Sequence, residues 1–211
     1  NGARAVSGDL LSIIPEEDGR ERLYSIGNLG KNTLAVSVKK HPKGVCSNLM
    51  GQLEKGETLS AGVVNNRHFH LPKSNKEAVL IATGTGIGPF LGMIASNSPK
   101  RNLHLYWGGR TSESFGLYQP HIDEALSKNK LYRFIPAYSR VDDKKVYVQH
   151  LIKKDGGKIA KILNNGGCVM ICGSIAMQRE VMTELAKICS TYLKKDLSHF
   201  QNRKQIKMDC Y

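Results

Sequence analysis

The stretch Lys76-Glu77-Ala78-Val79-Leu80-Ile81-Ala82-Thr83-Gly84-Thr85-Gly86-Ile87-Gly88-Pro89-Phe90 runs from an apolar strand into three glycines at alternate positions and then a proline. Phe90 to Ala95 continues as an apolar, helix-like segment. Glycine lets the backbone approach a bulky anion, and the start of a helix offers free N–H groups and a partial positive charge to it. Pro89 suits the first helical turn, where its missing N–H costs nothing. The stretch therefore predicts a strand–turn–helix phosphate site, with Gly84, Thr85, Gly86, Gly88 and Pro89 as the cradle. The spacing departs from the fingerprint G-x-G-x-x-G, because Pro89 holds the place of the third glycine and Gly88 comes one residue early. The next apolar run, Leu103 to Trp107, leads into Gly108-Gly109-Arg110. An acidic residue is expected near there for an unmodified ribose. The cation Arg110 suits a phosphorylated ribose instead, which favours NADP over NAD.

The bulk composition bounds the answer. The chain has 211 residues and is 40% hydrophobic, enough for one large domain or two small ones with a real core. No apolar run approaches the roughly 18 residues needed to span a bilayer, and no signal peptide is expected. Five cysteines without a C-x-x-C pair point to reduced thiols in a cytoplasmic setting and away from zinc. His68 and His70 flank Phe69 at strand spacing with no third ligand, so they read as a solvated strand face, and no metal site is expected. The net charge of +13 fits a lysine-rich surface or the steering of an acidic partner. The basic residues are scattered and carry no nucleic-acid signature, so a nucleic-acid partner is not expected.

Residues 1 to about 72 alternate short strand-like pieces with turns: Leu10–Ile14, Arg22–Ile26, Thr33–Lys39 and Thr58–Val64, with a short helix at Ser47–Leu53. That pattern suggests a small β-barrel. From Glu77 onward, strands at Val79–Ala82, Leu103–Trp107, Tyr132–Ala137 and Cys168–Cys172 alternate with helices, which implies a parallel sheet covered on both faces. Met177, Val181, Leu185, Ile188 and Tyr192 form one stripe of a helix over about Ala176–Leu193 and read as core. His68 to Asn75, with Pro72, is the natural boundary, so the expected domains are 1–74 and 75–211.

Four further motifs lie in fixed order around the glycine turn: Arg22-Leu23-Tyr24-Ser25, Gly44-Val45-Cys46-Ser47, Tyr138-Ser139-Arg140 with Lys145-Val146-Tyr147-Val148-Gln149, and Ile171-Cys172-Gly173-Ser174. The chain then ends in Met208-Asp209-Cys210-Tyr211. In this order they resemble the ferredoxin–NADP reductase superfamily, most of all the reductase module of diflavin enzymes such as sulfite reductase flavoprotein. The resemblance implies an antiparallel FAD-binding barrel, here short of upstream strands, followed by a parallel α/β NADP-binding domain. It implies that Arg22 meets the FAD pyrophosphate, that Tyr24 lies on the flavin ring and that Ser25 bonds near its hydride-accepting nitrogen. Gly44, Val45, Cys46 and Ser47 would turn against the pyrophosphate. Ser139, Arg140 and Lys145 would hold the NADPH 2′-phosphate, with Tyr147 and Gln149 on the adenosine. Cys172 and Gly173 would lie beside the nicotinamide, although Ser174 stands where diflavin members carry aspartate. Asp209 would join the hydride-transfer network, and Tyr211 would be ordered and stacked over the flavin.

The activity so implied is NADPH-dependent reduction of FAD with Ser25, Cys172, Asp209 and Tyr211 as catalytic residues. Single-electron transfer to an acidic acceptor, a flavodoxin-like FMN domain or a ferredoxin, would follow. The same motifs serve a reductase component for a ferredoxin or an oxygenase, or an NADP-binding module that has lost FAD. The chain reads as a cytoplasmic protein, or as the cytosolic part of a longer, membrane-anchored flavoprotein, with no membrane contact of its own.

Overall fold

The computed structural model describes residues 4–141 and 145–211. The second half is built on a five-stranded parallel sheet. Its strands are β6 (Glu77–Thr83), β7 (Asn102–Gly109), β8 (Arg133–Tyr138), β9 (Cys168–Gly173) and β10 (Ile206–Cys210), in the order β10-β9-β6-β7-β8. Side chains alternate across β6, so Ala78, Leu80 and Ala82 enter one core and Val79 and Ile81 the other. Phe90 of α2 (Gly88–Ala95) and Ile122 of α3 (Gln119–Ser127) close the first core. Ile152 of α4 (Val148–Lys154), Ile159 of α5 (Gly156–Asn164) and Val181 of α6 (Ile175–Ile188) close the second. A sheet buried on both faces explains the unbroken apolar reading of β6. Helix α7 (Leu197–Asn202) feeds β10.

The first half is antiparallel, as expected for the barrel-like module. Strands β1 (Leu10–Ile13), β2 (Arg22–Ser25) and β5 (Gly62–Val64) form a sheet in the order β2-β1-β5, and β3 (Gly27–Gly30) pairs with β4 (Thr33–Ala35) as a hairpin. The short helix α1 is Val45–Gln52. Asp9, 1% exposed, ties this half together. It accepts from the Val6 N–H at 2.8 Å and the Asn66 N–H at 2.9 Å, and His70 Nε2 lies 2.6 Å away. Burial alone would raise its pKa, but these partners outweigh burial and hold it below the usual carboxylate range.

The two halves meet backbone to backbone. A Cβ on Gly92 of α2 would lie 2.3 Å from the amide nitrogen of Asn28 in β3, and one on Gly27 would lie 2.5 Å from the Gly88 carbonyl. Only glycine permits that approach. The Ser37 and Tyr118 hydroxyls are 2.5 Å apart and bridge the segment after β4 to the start of α3.

Several expectations need correction. The pieces Thr33–Lys39 and Thr58–Val64 are strands only over Thr33–Ala35 and Gly62–Val64. Strand β3, missed in the sequence, carries a glycine at each end and little apolar signal. Residues Arg67–Phe69 form a 3₁₀ turn, so His68 and His70 do not share a strand face, and His70 pairs with Asp9. The α6 stripe fails at its end. The helix widens into a π-type turn over Cys189–Leu193, which turns Cys189 inward and leaves Tyr192 56% exposed against Gly156 and Gly157.

Candidate functional site

A cleft of about 1030 Å³ opens at the carboxyl ends of the parallel strands. Ligands of such sheets bind there, where the strand order reverses. Thr83, Gly84 and Thr85 form its floor, and Arg110, Ser139 and Tyr147 stand around it. Gly84 to Ile87 is a 3₁₀ turn that runs straight into α2, so the expected strand–turn–helix is present, with Pro89 in the first helical turn. The Trp107 indole N–H donates to the Gly84 carbonyl at 3.0 Å and fixes the turn over β7. A Cβ on Gly86 would lie 2.2 Å from the Cys172 carbonyl oxygen, which explains why the turn sits flat on the end of β9.

Ser139 and Arg140 follow β8, and the Arg140 N–H donates to the Arg110 carbonyl at 2.9 Å. This bond sets the two arginine-bearing loops side by side. Ser139, Tyr147 and Gln149 line the cleft, while Arg140 and Lys145 are exposed beside lining residues. Sequence reading missed Lys39, which reaches the cleft from the first half, and Arg179, which reaches it from α6. Ser174 caps α6 by accepting from the Met177 N–H at 3.3 Å and also lines the cleft.

A second group forms where the halves touch. The Ser25 hydroxyl at the end of β2 donates to Asp209 Oδ2 at 2.7 Å. Asp209 in β10 is the register partner of Cys172 in β9, so the two share one face of the parallel ladder. The Ser25 hydroxyl also reaches the Cys172 thiol, and burial holds that thiol well above its ordinary pKa. Cys172 is therefore a neutral S–H at physiological pH. Gly173 continues the ladder opposite Cys210, whose thiol burial pushes up to about 11.

Tyr211 is held in place. Its N–H donates to the Gly173 carbonyl at 3.0 Å, and its hydroxyl lies 2.8 Å from Thr85 Oγ1. The ring thus spans from the end of β10 to the glycine turn, with 62% of the residue exposed to the cleft side. Burial of its hydroxyl end raises its pKa, and the Thr85 contact opposes that.

Arg22, Tyr24 and Cys46 form a third group. The Tyr24 hydroxyl is within hydrogen-bond reach of the Cys46 thiol, and burial first, then this contact, raise its pKa. The Arg22 guanidinium is engaged by Asp18 at 2.8 and 2.5 Å. The pair is partly solvent-exposed, and such ion pairs exchange readily for a stronger anion. Ser47 is used internally: its hydroxyl donates to the Gly44 carbonyl at 3.1 Å and accepts from the His41 N–H at 3.1 Å. It therefore braces the Gly44–Val45–Cys46 turn. Among the described residues no side chain caps the start of α1, which leaves its first N–H groups to another acceptor.

Comparison with known proteins agrees with this architecture. The oxidoreductase NAD-binding domain family matches residues 80–183. The chain is 32% identical to NADPH–cytochrome P450 reductase of Salmo trutta over 197 residues, covering 87% of this chain and 33% of that protein. It is 30% identical to NADPH oxidoreductase A of Dictyostelium discoideum over 213 residues, 93% of this chain and 33% of that protein. It is also 30% identical to the sulfite reductase [NADPH] flavoprotein alpha-component of Shewanella oneidensis over 167 residues, 72% of this chain and 28% of that protein. The chain thus spans about a third of the length of the curated relatives it matches.

Proposed function

This chain is a member of the ferredoxin–NADP reductase/diflavin reductase-like superfamily, an NADPH-binding oxidoreductase domain, and from that premise we propose that it transfers hydride from NADPH to FAD and passes electrons singly to an acidic acceptor. A flavodoxin-like FMN domain is the acceptor we favour. Residues 1–74 would hold the flavin and 75–211 the dinucleotide.

The observation that carries the reading is the contact of Ser25 with Asp209, 184 residues apart, with the Cys172 thiol beside them. A hydroxyl, a carboxylate and a neutral thiol meet where the two halves join. Such a set can orient two stacked rings and balance charge that moves between them. FAD, when bound, supplies the conversion of a two-electron carrier into single electrons.

The residues present fit both groups. The dinucleotide has a cleft of about 1030 Å³ with a glycine floor and Arg110 at its rim. Gly84, Thr85, Gly86, Gly88 and Pro89 would receive its pyrophosphate. Arg110, Ser139, Arg140 and Lys145 would take the 2′-phosphate, with Tyr147 and Gln149 at the adenosine. A planar Tyr24 beside Arg22 and the uncapped α1 turn suits an aromatic ring that carries a pyrophosphate. Arg22 would leave Asp18 for that ligand. Tyr211 would cover the ring face that the nicotinamide must reach, and Asp209 would hold the Ser25 hydroxyl toward it.

Reduction of an artificial dye by NADPH, with and without added FAD, tests the assignment. We expect FAD-dependent turnover, and a fall of about 10- to 100-fold in the hydride-transfer rate of Ser25→Ala with NADPH affinity unchanged. FAD-independent turnover, or an unchanged rate in the variant, overturns it.

A further inference from the structure

The end of the parallel sheet opposite the cleft has a charge pattern that the proposed chemistry does not use. Five segments feed strands β6 to β10 at that end: residues 73–76, 98–101, 128–132, 164–167 and 203–205. Together they carry Lys73, Lys76, Lys100, Arg101, Lys128, Lys130, Arg203 and Lys204, and no aspartate or glutamate.

Hydrogen bonds show that the segments form one continuous rim. Arg101 donates to the Lys73 carbonyl at 2.8 Å, joining the first two. Asn97 donates to the carbonyls of Arg101 and Lys130, joining the second and third. Asn75 donates to the Gly166 carbonyl at 2.5 Å, and Gln205 to the Gly167 carbonyl at 2.6 Å, bringing in the last two. Among the described residues, Lys73, Lys76, Lys100, Arg203 and Lys204 are exposed and make no ion pair. Two acids near the rim are already paired, Glu124 with Lys128 and Asp155 with Arg133. Glu77, which opens β6 next to Lys76, hydrogen-bonds a neutral His104 and keeps its own charge, so it offsets one of the lysines. Tyr132 stands in the rim 60% exposed, with the Lys158 ammonium 5.5 Å from its ring centroid.

We propose that this rim docks the protein peripherally on an anionic lipid surface, with the cleft turned away toward solvent. Lysines predominate over arginines. They act as mobile point charges and lack the fork geometry that a shaped carboxylate epitope rewards. Large protein interfaces also rely on buried apolar anchors in pockets, whereas the one bulky apolar group exposed in these feeding segments is Tyr132, of a type enriched at membrane–water interfaces. Among the described residues no helix is long and apolar enough to cross a membrane, and peripheral attachment requires none. The contact differs from the expectation of no membrane contact, which rested on the lack of a spanning segment.

Co-sedimentation with phosphatidylcholine vesicles containing about a third phosphatidylserine tests the proposal. A contribution of about 1 kcal/mol per basic residue near such a surface corresponds to roughly five-fold in partitioning per lysine. The triple variant Lys76→Ser/Lys100→Ser/Lys204→Ser should lose about 100-fold. The triple variant Lys31→Ser/Lys40→Ser/Lys55→Ser, with the same change in net charge in the first half, should retain most of the binding. Both should bind 2′,5′-ADP as the parent chain does, which verifies that they fold. Equal losses in the two triples would mean that overall charge alone acts, and would overturn the proposal. So would parent-chain binding to pure phosphatidylcholine at the same level, or no binding to either vesicle. Retention on immobilised polyglutamate through the rim lysines, without vesicle binding, would assign the surface to an acidic protein and overturn the lipid reading.

Discussion

Tyr211 is fixed at three atoms, since its N–H, carbonyl and hydroxyl all have partners in the second half. If Tyr211 covers the flavin as proposed, a side chain so held has to be displaced before a nicotinamide can stack in its place. Deleting Tyr211 should therefore lower the Kd for NADP+ by about tenfold and slow product release, measured by calorimetry and by turnover with excess product. The 2′-phosphate assignment has its own test. Arg140→Ala should raise the KM for NADPH about tenfold, the scale of one charge-assisted hydrogen bond, and leave that for NADH unchanged. Steady-state kinetics with both donors separates this from a general loss of binding. At this scale the sequence was legible where residue types cluster along the chain, as in the Gly84–Pro89 turn, which runs into α2 as expected, whereas Tyr138–Arg140 was singled out only by the resemblance. Ser25, Cys172 and Asp209 carry no local signal of their mutual contact. Only the resemblance of ordered motifs grouped them. Lys39 and Arg179 were missed because nothing near them in the sequence marks them as facing a cleft formed by other elements.

Among the elements, β7 carries a buried histidine whose position has a measurable cost. His104 is 1% exposed, with Nε2 at 3.2 Å from Glu77 and Nδ1 unpartnered among the described residues. Burial depresses its pKa below the ordinary 6.5, and Glu77 opposes this only in part. Below pH 6.5 the unfolded chain binds a proton that the folded chain refuses, so stability falls with pH from 6.5 down to the folded-state pKa and then levels. Urea melts should show stability falling between pH 7 and pH 5 through this group, and His104→Phe should remove that slope. Four of the five parallel strands were readable, the central β6, β7 and β9 because burial on both faces makes them largely apolar, whereas the half-buried edge strand β10, with Lys207 and Asp209 in it, was missed. The starts and ends of the four shifted by a residue or two, as for β8, which begins at Arg133 and not at Tyr132. The hairpin β3–β4 was unreadable in part because Gly27 and Gly30 contribute no side chain to a pattern. The end of α6 was misread because a helical period was extended through a π-type turn, where one extra residue per turn rotates the buried face from Tyr192 to Cys189.

For the whole molecule, the order of an antiparallel half and then a parallel half was legible, because short strands joined by turns give way to strands alternating with helices. How the halves fit was not. The approach of β3 to α2 depends on Gly27, Gly88 and Gly92, whose role appears only when the two elements are brought together. The Ser37–Tyr118 bridge has a further result, because it carries the chain on to Val38 and Lys39 in the cleft wall. A fragment of residues 75–211 would thus keep its sheet yet lose one side of its own binding chamber. Its affinity for 2′,5′-ADP should fall about five-fold against the intact chain, on the order of 1 kcal/mol, as titration calorimetry would record. The dinucleotide site is in that sense co-owned by both halves of the chain, and a duplication or exchange of the parallel unit between proteins would have to bring along the strap that follows β4 to keep its ligand.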